Sequence, residues 1–388
     1  MAPLTKAIET HFVGIRDIDT HIYKGRVDSD WSIGHVPNGG YMLSILMDAC
    51  VRYQATPKQT STKYPPISHP DPTYLTAHFL SPSRHDQDVY VWIKPWTMSK
   101  TITRLKVSVL QHETGKNGDE FVERIVAWLV FTQLIAAPLT PSVSETRTFD
   151  YQPPSPFLNV ERPINGTKFS HFAFPFQQKE DGRNRWISWD ELGRLEEKSP
   201  DGAFKYLGED GDSTYDYPSG TADKIDWAAW LKTLDAGDKW TDKPAFLPFF
   251  ADLFTNGPSL MRNRPKLGWF PTVVFTMHFR EKFALPSQYY PLLHHASAPK
   301  SQATEPVRIS QDRIGVYAYS KFHDPAGRHE QVVELWTCPY SGDVDKDKDV
   351  KEGNGRLVAV ASQLALVVPY SKNARNAVAN EKKPQAKL

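Results

Sequence analysis

The sequence predicts an α+β fold built from one plan used twice: a long apolar helix followed by an antiparallel sheet. Three observations predict it. Gly39 to Tyr53 (GGYMLSILMDACVRY) is apolar on most sides at helical spacing and precedes four runs that alternate apolar and polar residues. A second strongly apolar helix is expected over Phe246 to Phe254 (FLPFFADLF), and four such runs follow it as well. Short identities recur in the same order: T-x-H-F at Thr76 to Phe79 and Thr276 to Phe279, then [ST]-Q-L at Thr132 to Leu134 and Ser362 to Leu364. Each helix also carries one acid, Asp48 or Asp252.

In chain order, the first helix starts at Asn38, a polar cap after Pro37, and at the Gly39-Gly40 pair. The strands of the first half are expected over Tyr74 to Leu80, Val89 to Trp96, Thr101 to Leu110 and Val122 to Leu134, with HETGKNGDE as a turn. Ala136 to Pro163, rich in Pro, Ser and Thr, is expected to be a linker. Gln178 to Lys243 is polar and acid-rich, with one helical patch expected at Ile225 to Leu234, and is taken as an insertion. Strands then follow over Val273 to Phe279, Tyr289 to His295, Gln331 to Trp336 and Leu357 to Val368. The division is therefore a unit over 1–140, a linker over 141–167, a unit over 168–370 with its insertion near 178–243, and a flexible tail over 371–388. An isolated sheet of this kind leaves an edge strand open, so the halves are expected to pair sheet edge to sheet edge. Asp343 to Asp349 alternates Asp with Lys like a calcium loop, but Lys348 and Asn354 stand where the loop needs Gly and Glu, so a solvated hairpin loop is expected.

Composition narrows the function classes. Lys and Arg total 46 against 45 for Asp and Glu, which gives a net charge of +1 and no field to hold nucleic acid. Two cysteines, Cys50 and Cys338, fit neither a disulfide scaffold nor a zinc module and suit a reducing compartment. Met1 to Phe12 alternates charged and apolar residues without a continuous apolar core, and the most apolar stretch, Ile125 to Leu139, is interrupted by Thr132 and Gln133, so neither a signal peptide nor a membrane span is expected. Aromatic residues at 12%, with 11 Trp, suit β-rich walls around an apolar core or ligand. G-x-S-x-G, G-x-G-x-x-G, P-loop and H-E-x-x-H motifs are all missing from the sequence, which disfavours α/β-hydrolases, dinucleotide enzymes, nucleoside triphosphatases and zincins.

Four segments then carry a resemblance: WSIGHVPNGGYM (Trp31 to Met42), SKTITRLKV (Ser99 to Val107), PTVVFTMHFR (Pro271 to Arg280) and GRLVAVASQL (Gly355 to Leu364). In these the chain resembles the double hot-dog acyl-CoA thioesterase-like family, in which two hot-dog units, each a long helix wrapped by an antiparallel sheet, are fused. The resemblance implies hydrolysis of an acyl thioester, carried by coenzyme A or by a carrier protein, with neither cofactor nor metal and with a homodimer as the assembly. In the bacterial branch an Asp on the second helix, a Thr at the start of the next strand and a Gln on the last strand hold the attacking water. These look like Asp252, Thr272 and Gln363, with Thr276 a nearby rival for the Thr.

The chemistry is coherent, because a carboxylate takes a proton from water while a hydroxyl and an amide orient it. An acid flanked by Phe249, Phe250, Leu253 and Phe254 is costly to bury without a purpose. The Gly39 and Gly40 amides, at a helix start, are candidates to bind the thioester carbonyl. Two other readings compete: a hot-dog dehydratase or hydratase that uses His35 and Asp48, and a non-catalytic acyl- or polyketide-binding protein. His78 and His278 are expected to serve sheet packing. The chain ends Ala386-Lys387-Leu388, close to the S-K-L address, which makes the peroxisome the expected location and the cytoplasm its alternative.

Overall fold

The computed structural model describes residues 2–33, 35–56, 69–115, 118–134, 187–192, 226–233, 239–260, 268–283, 288–289, 307–340, 355–369 and 371–373. The expected linker over 141–167, most of the 178–243 segment, the Asp343 to Asp349 loop and residues 374–388, including Ala386 to Leu388, lie outside them. Among the described residues, thirteen strands form one continuous sheet. They are β1 (His11–Arg16), β2 (Thr20–Arg26), β3 (Asp71–Phe79), β4 (Asp88–Met98), β5 (Thr103–Gly115), β6 (Gly118–Thr132), β7 (Ile187–Leu192), β8 (Asp226–Thr233), β9 (Thr272–Phe279), β10 (Gln288–Tyr289), β11 (Val307–His323), β12 (Arg328–Tyr340) and β13 (Leu357–Leu366). Their spatial order is β1-β2-β4-β5-β6-β3-β9-β13-β12-β11-β8-β7, with β10 beside β11. The fold is a double hot-dog: the first six strands belong to one half, the rest to the other, and β3 joins β9 at the seam.

Two helices fill the concave side. Helix α1 (Gly39–Ala55) is buried over nearly all its length, as its all-round apolar composition requires. Helix α2 (Leu247–Ala251) is much shorter than the expected Phe246 to Phe254. A 3-10 turn, Pro244–Phe246, leads into it, and it closes with Asp252 N–H on Phe249 O at 3.1 Å and Leu253 N–H on Phe250 O at 3.2 Å. These tight bonds end the helix one residue before Asp252, which becomes its C-cap.

The seam explains the T-x-H-F repeat. Thr76 pairs with Thr276, Ala77 with Phe275 and His78 with Val274 in antiparallel register, so the twofold relation between the halves passes through the Thr76/Thr276 pair. Each seam strand also carries a register shift at the equivalent place, between Pro72 and Tyr74 and between Thr272 and Val274. The [ST]-Q-L match does not follow this symmetry. Gln363 faces Phe275, and the equivalent position facing Leu75 is Leu129, not Gln133.

Other expectations need correction. Within the helical patch expected at Ile225 to Leu234, Asp226–Thr233 is strand β8, and with β7 it extends the second half's sheet; Trp227, Ala229 and Leu231 alternate inward, a period-two pattern that outweighs helix propensity. HETGKNGDE is mostly strand, since β5 runs to Gly115 and β6 starts at Gly118. Strands β1, β2, β7 and β11 have no counterpart among the expected strands. Cys50 and Cys338 are both buried, and neither forms a disulfide. Among the described residues, no helix is long and apolar enough to cross a membrane.

Candidate active site

A cavity of about 280 Å³ opens where the start of α1, the end of α2 and the seam strands meet. Asp252, Thr272, Gln363 and Gly39 all line it. The long helix supplies one wall because its first turn has backbone N–H groups without helical partners. Asn38 Oδ1 accepts from Tyr41 N at 2.8 Å, and Asp252 Oδ2 accepts from Gly40 N at 2.7 Å. A carboxylate from the second half thus completes the capping of the first half's helix, at the end where its dipole favours negative charge.

Glycine at position 40 is required by this approach. A Cβ there would lie 2.4 Å from Pro248 O and 2.5 Å from Asp252 Cβ. One turn further along α1, Ser44 Oγ accepts from Phe249 N at 3.1 Å, which fixes α2 against it from the other end. Asn38 Nδ2 reaches Asp252 O at 3.5 Å.

The sheet supplies the opposite wall. Thr272 Oγ1 donates to Gln363 Oε1 at 3.1 Å, and Gln363 Nε2 donates to Ala251 O at 2.9 Å, beside Asp252. The register shift after Thr272 makes this meeting possible. By alternation alone Thr272 would share the outer face with Thr276 and His278, but the extra residue, Val273, turns Thr272 inward opposite Ala365. Thr276 stays outside, opposite Thr76, and is no part of the site. His78 and His278 are exposed on that outer face, against the rings of Trp128 and Tyr74.

Burial pushes the Asp252 carboxyl up to about 6, while the Gly40 amide, Gln363, Asn38 and the Gly39 amide pull it partly back. The group is therefore largely ionised at neutral pH and close to the value that suits proton transfer there. Gly40 N–H, a candidate for the thioester carbonyl, is committed to Asp252 instead; Gly39 faces the cavity.

The His35 and Asp48 pair is not assembled. Asp48 Oδ2 accepts from Thr10 N at 2.9 Å, Thr10 Oγ1 at 2.8 Å and Arg52 Nε at 2.7 Å, and it lies about 13 Å along α1 from the helix start. His35 N donates to Asn373 Oδ1 at 3.1 Å, and its residue does not line the cavity. Asn38 and Asn256 border the reacting groups without having been singled out for them. Asn38 carried a capping signal; Asn256 carried none.

Residues 27–132 match the model of the acyl-CoA thioesterase N-terminal domain. The match lies within the first half. The half that carries the match supplies Asn38, Gly39 and Gly40, and the other half supplies Asp252, Thr272 and Gln363. Among solved structures, the chain is similar to a putative thioesterase II from Thermobifida fusca YX, at 18% identity and TM-score 0.52 over 95% of this chain and 98% of that one. It is similar to an acyl-CoA thioesterase II from Mycobacterium marinum at 12% identity and TM-score 0.51, over 94% and 97%. A hot-dog protein of unknown function from Alicyclobacillus acidocaldarius matches at 15% identity and TM-score 0.50, over 94% and 97%. At these identities the likeness establishes the fold. No curated protein matches the chain in sequence.

Proposed function

We propose that the chain hydrolyses an acyl thioester, carried by coenzyme A or a carrier protein, to the free acid and the thiol. The observation that carries this reading is the convergence of Asp252, Thr272 and Gln363 on one cavity through mutual contacts, in a chain whose first half carries the match to the thioesterase domain. Asp252 takes a proton from a water molecule as the water oxygen attacks the thioester carbonyl carbon. The tetrahedral intermediate then breaks its C–S bond, and Asp252 returns the proton to the departing thiolate. Thr272 and Gln363, which contact each other and Asp252's end of the cavity, orient the water. No covalent acyl-enzyme is needed.

The symmetry of the fold supports the assignment. The first half builds the same sheet with Leu129 where the second half has Gln363 and with Pro72 where it has Thr272, so the fold does not need polar residues at these positions. The test is thiol release from a panel of acyl-CoA and acyl-carrier-protein substrates with wild type beside Asp252→Asn. A loss of roughly 10²- to 10⁴-fold in kcat is expected for the removed base. Unchanged turnover in a folded variant would take Asp252 out of the reaction.

A further inference from the structure

Next to the reacting groups lies a second polar cluster that the hydrolysis does not use. Gln331 pairs directly with Gln363 across β12 and β13, and His329 pairs with Ala365, which in turn faces Thr272. On the following strand, Ser320 pairs with Gln331 and His323 with His329. The inward face therefore carries a polar band that continues from Thr272 and Gln363 into β11. His329 is 0% exposed and Gln331 2%, so neither is a surface residue.

The band is under-satisfied. Among the described residues, His329 Nδ1, His323 Nε2 and Gln331 Oε1 are buried and have no hydrogen-bond partner. Gln331 Nε2 is spent on Ser320 Oγ at 3.0 Å, and the two imidazoles stack with centroids 5.5 Å apart and planes 9° from parallel. Burial holds both imidazoles below the ordinary histidine range, His329 at about 4, so the pair is neutral at neutral pH. Three orphaned polar atoms in one spot carry a cost that selection against unfolding would remove. The first half does without it at one of these positions: the equivalent of Gln331 is Leu105, fully buried, and Leu105 faces Leu129 as Gln331 faces Gln363.

Asn256 stands between this cluster and the cavity. Its residue lines the cavity, and its Oδ1 approaches His329 Nε2 at 3.5 Å; Phe270, also on the cavity wall, meets the His329 ring edge-on at 5.8 Å. Gly257 follows, so close that a Cβ would lie 2.0 Å from Ser320 Oγ and 2.5 Å from Gln331 Nε2. We propose that His323, His329 and Gln331 form a specificity subsite, reached from the cavity past the Asn256 side chain, that recognises a hydroxyl group on the acyl chain.

A hydroxyl is the matching group because it donates a hydrogen bond without carrying a charge. With Nε2 donating to Asn256, His329 Nδ1 is an acceptor, and Gln331 Oε1 is another; a keto oxygen or a bare methylene gives them nothing. The row from Thr272 to His329 spans two strand spacings, about 10 Å, so the hydroxyl lies several carbons beyond the thioester carbon and not on its neighbour. This inference rests on the acyl-thioester reading of the cavity, and its test is a binding measurement that does not need turnover.

The probes are hexadecanoic acid and its mono-hydroxylated isomers, titrated against the full chain and followed by tryptophan fluorescence, since Trp269 lines the cavity. Wild type should prefer one mid-chain isomer over the parent acid by about tenfold or more, as expected where a site's buried polar groups are otherwise unpaired. Gln331→Leu, the residue of the first half, should reduce that ratio to within about twofold, and His323→Phe is the second variant should the first not fold. Equal or undetectable binding of the parent and every isomer by wild type would overturn the subsite, with the cluster holding water only. Thiol release measured alongside separates the two readings: absent turnover with an intact hydroxyl preference would overturn the hydrolase and leave the subsite standing.

Discussion

Gly40 N–H donates to Asp252 Oδ2 at 2.7 Å, so the backbone of the first half's helix holds the candidate base of the second half. Neither half has the site alone. The contact exists because position 40 has no side chain, and Gly40→Ala tests it. The new methyl would overlap Pro248 O and Asp252 Cβ and drive α2 off α1. Overpacking of this kind costs about 1–3 kcal/mol. The expected outcome is a lower Tm together with a fall in kcat of at least tenfold, because a displaced base loses its reach. Gly39→Ala meets nothing nearer than Asp252 Oδ2 at 3.2 Å and the Phe79 ring at 3.3 Å and should be milder.

The raised Asp252 carboxyl gives two pH effects of known sign. Catalysis needs the ionised form, so kcat/KM should rise with pH through about 6 and level off above it. Stability runs the other way. The folded group binds its proton more tightly than an unfolded Asp near 3.9, so the contribution of the neutral form is present below that value and is lost as pH rises through about 6. Asp252→Asn removes this dependence. In urea unfolding the variant should be more stable than wild type at pH 7, by up to about 3 kcal/mol, with the gap closing toward pH 4. A variant less stable at pH 7 would show that the ionised carboxylate is a net stabiliser of the seam.

Thr272 and Thr276 lie on one strand and differ in face, which makes them a matched pair. Thr272→Ala should lower kcat by roughly 10- to 100-fold, whereas Thr276→Ala, on the outer face, should change it by less than about twofold. Gln363→Leu copies the first half's Leu129 and should fold with near wild-type stability while losing a similar 10- to 100-fold. Steady-state kinetics on one acyl-CoA reads all three. The reverse order of the two Thr variants would place the reacting set on the other face of the sheet.

What the sequence made legible follows from periodicity. Gly39 to Ala55 and the strands from Asp71 to Thr132 carry one strong period each, and the buried helix and its sheet were visible in them. Asp252, Thr272 and Gln363 were reached by residue type at matching motif positions, not by geometry. Three things had no local signal. The early end of α2 depends on tight bonds inside an apolar run that reads as uninterrupted helix. Strand β11 carries Gln311, Asp312 and Arg313 in its middle, which breaks its alternation. The twofold relation assigns Leu129 to Gln363, while the string match assigned Gln133, because four-residue identities ignore strand register.

The seam makes a last prediction about assembly. Strand β3 is hydrogen-bonded on one side to β6 and on the other to β9, so a chain cut after the first half exposes a full strand edge. It also uncovers the face of α1 that packs on α2, with Gly40 and Ser44 left without Asp252 and Phe249. An open edge beside an apolar helix face pairs with whatever is at hand, and the nearest equivalent edge is that of a second copy. The twofold pairing of Thr76 with Thr276 shows that β3 is close to self-complementary, since β9 presents the same T-x-H-F residues in antiparallel register. Expression of Met1 to Pro141 should therefore give insoluble material or a dimer joined through β3, read by light scattering and by amide protection of Thr76. Co-expression with the remainder of the chain should restore solubility. A soluble monomeric fragment with a cooperative unfolding transition would mean that the halves are independent domains and that the seam, with the site it assembles, adds little to stability.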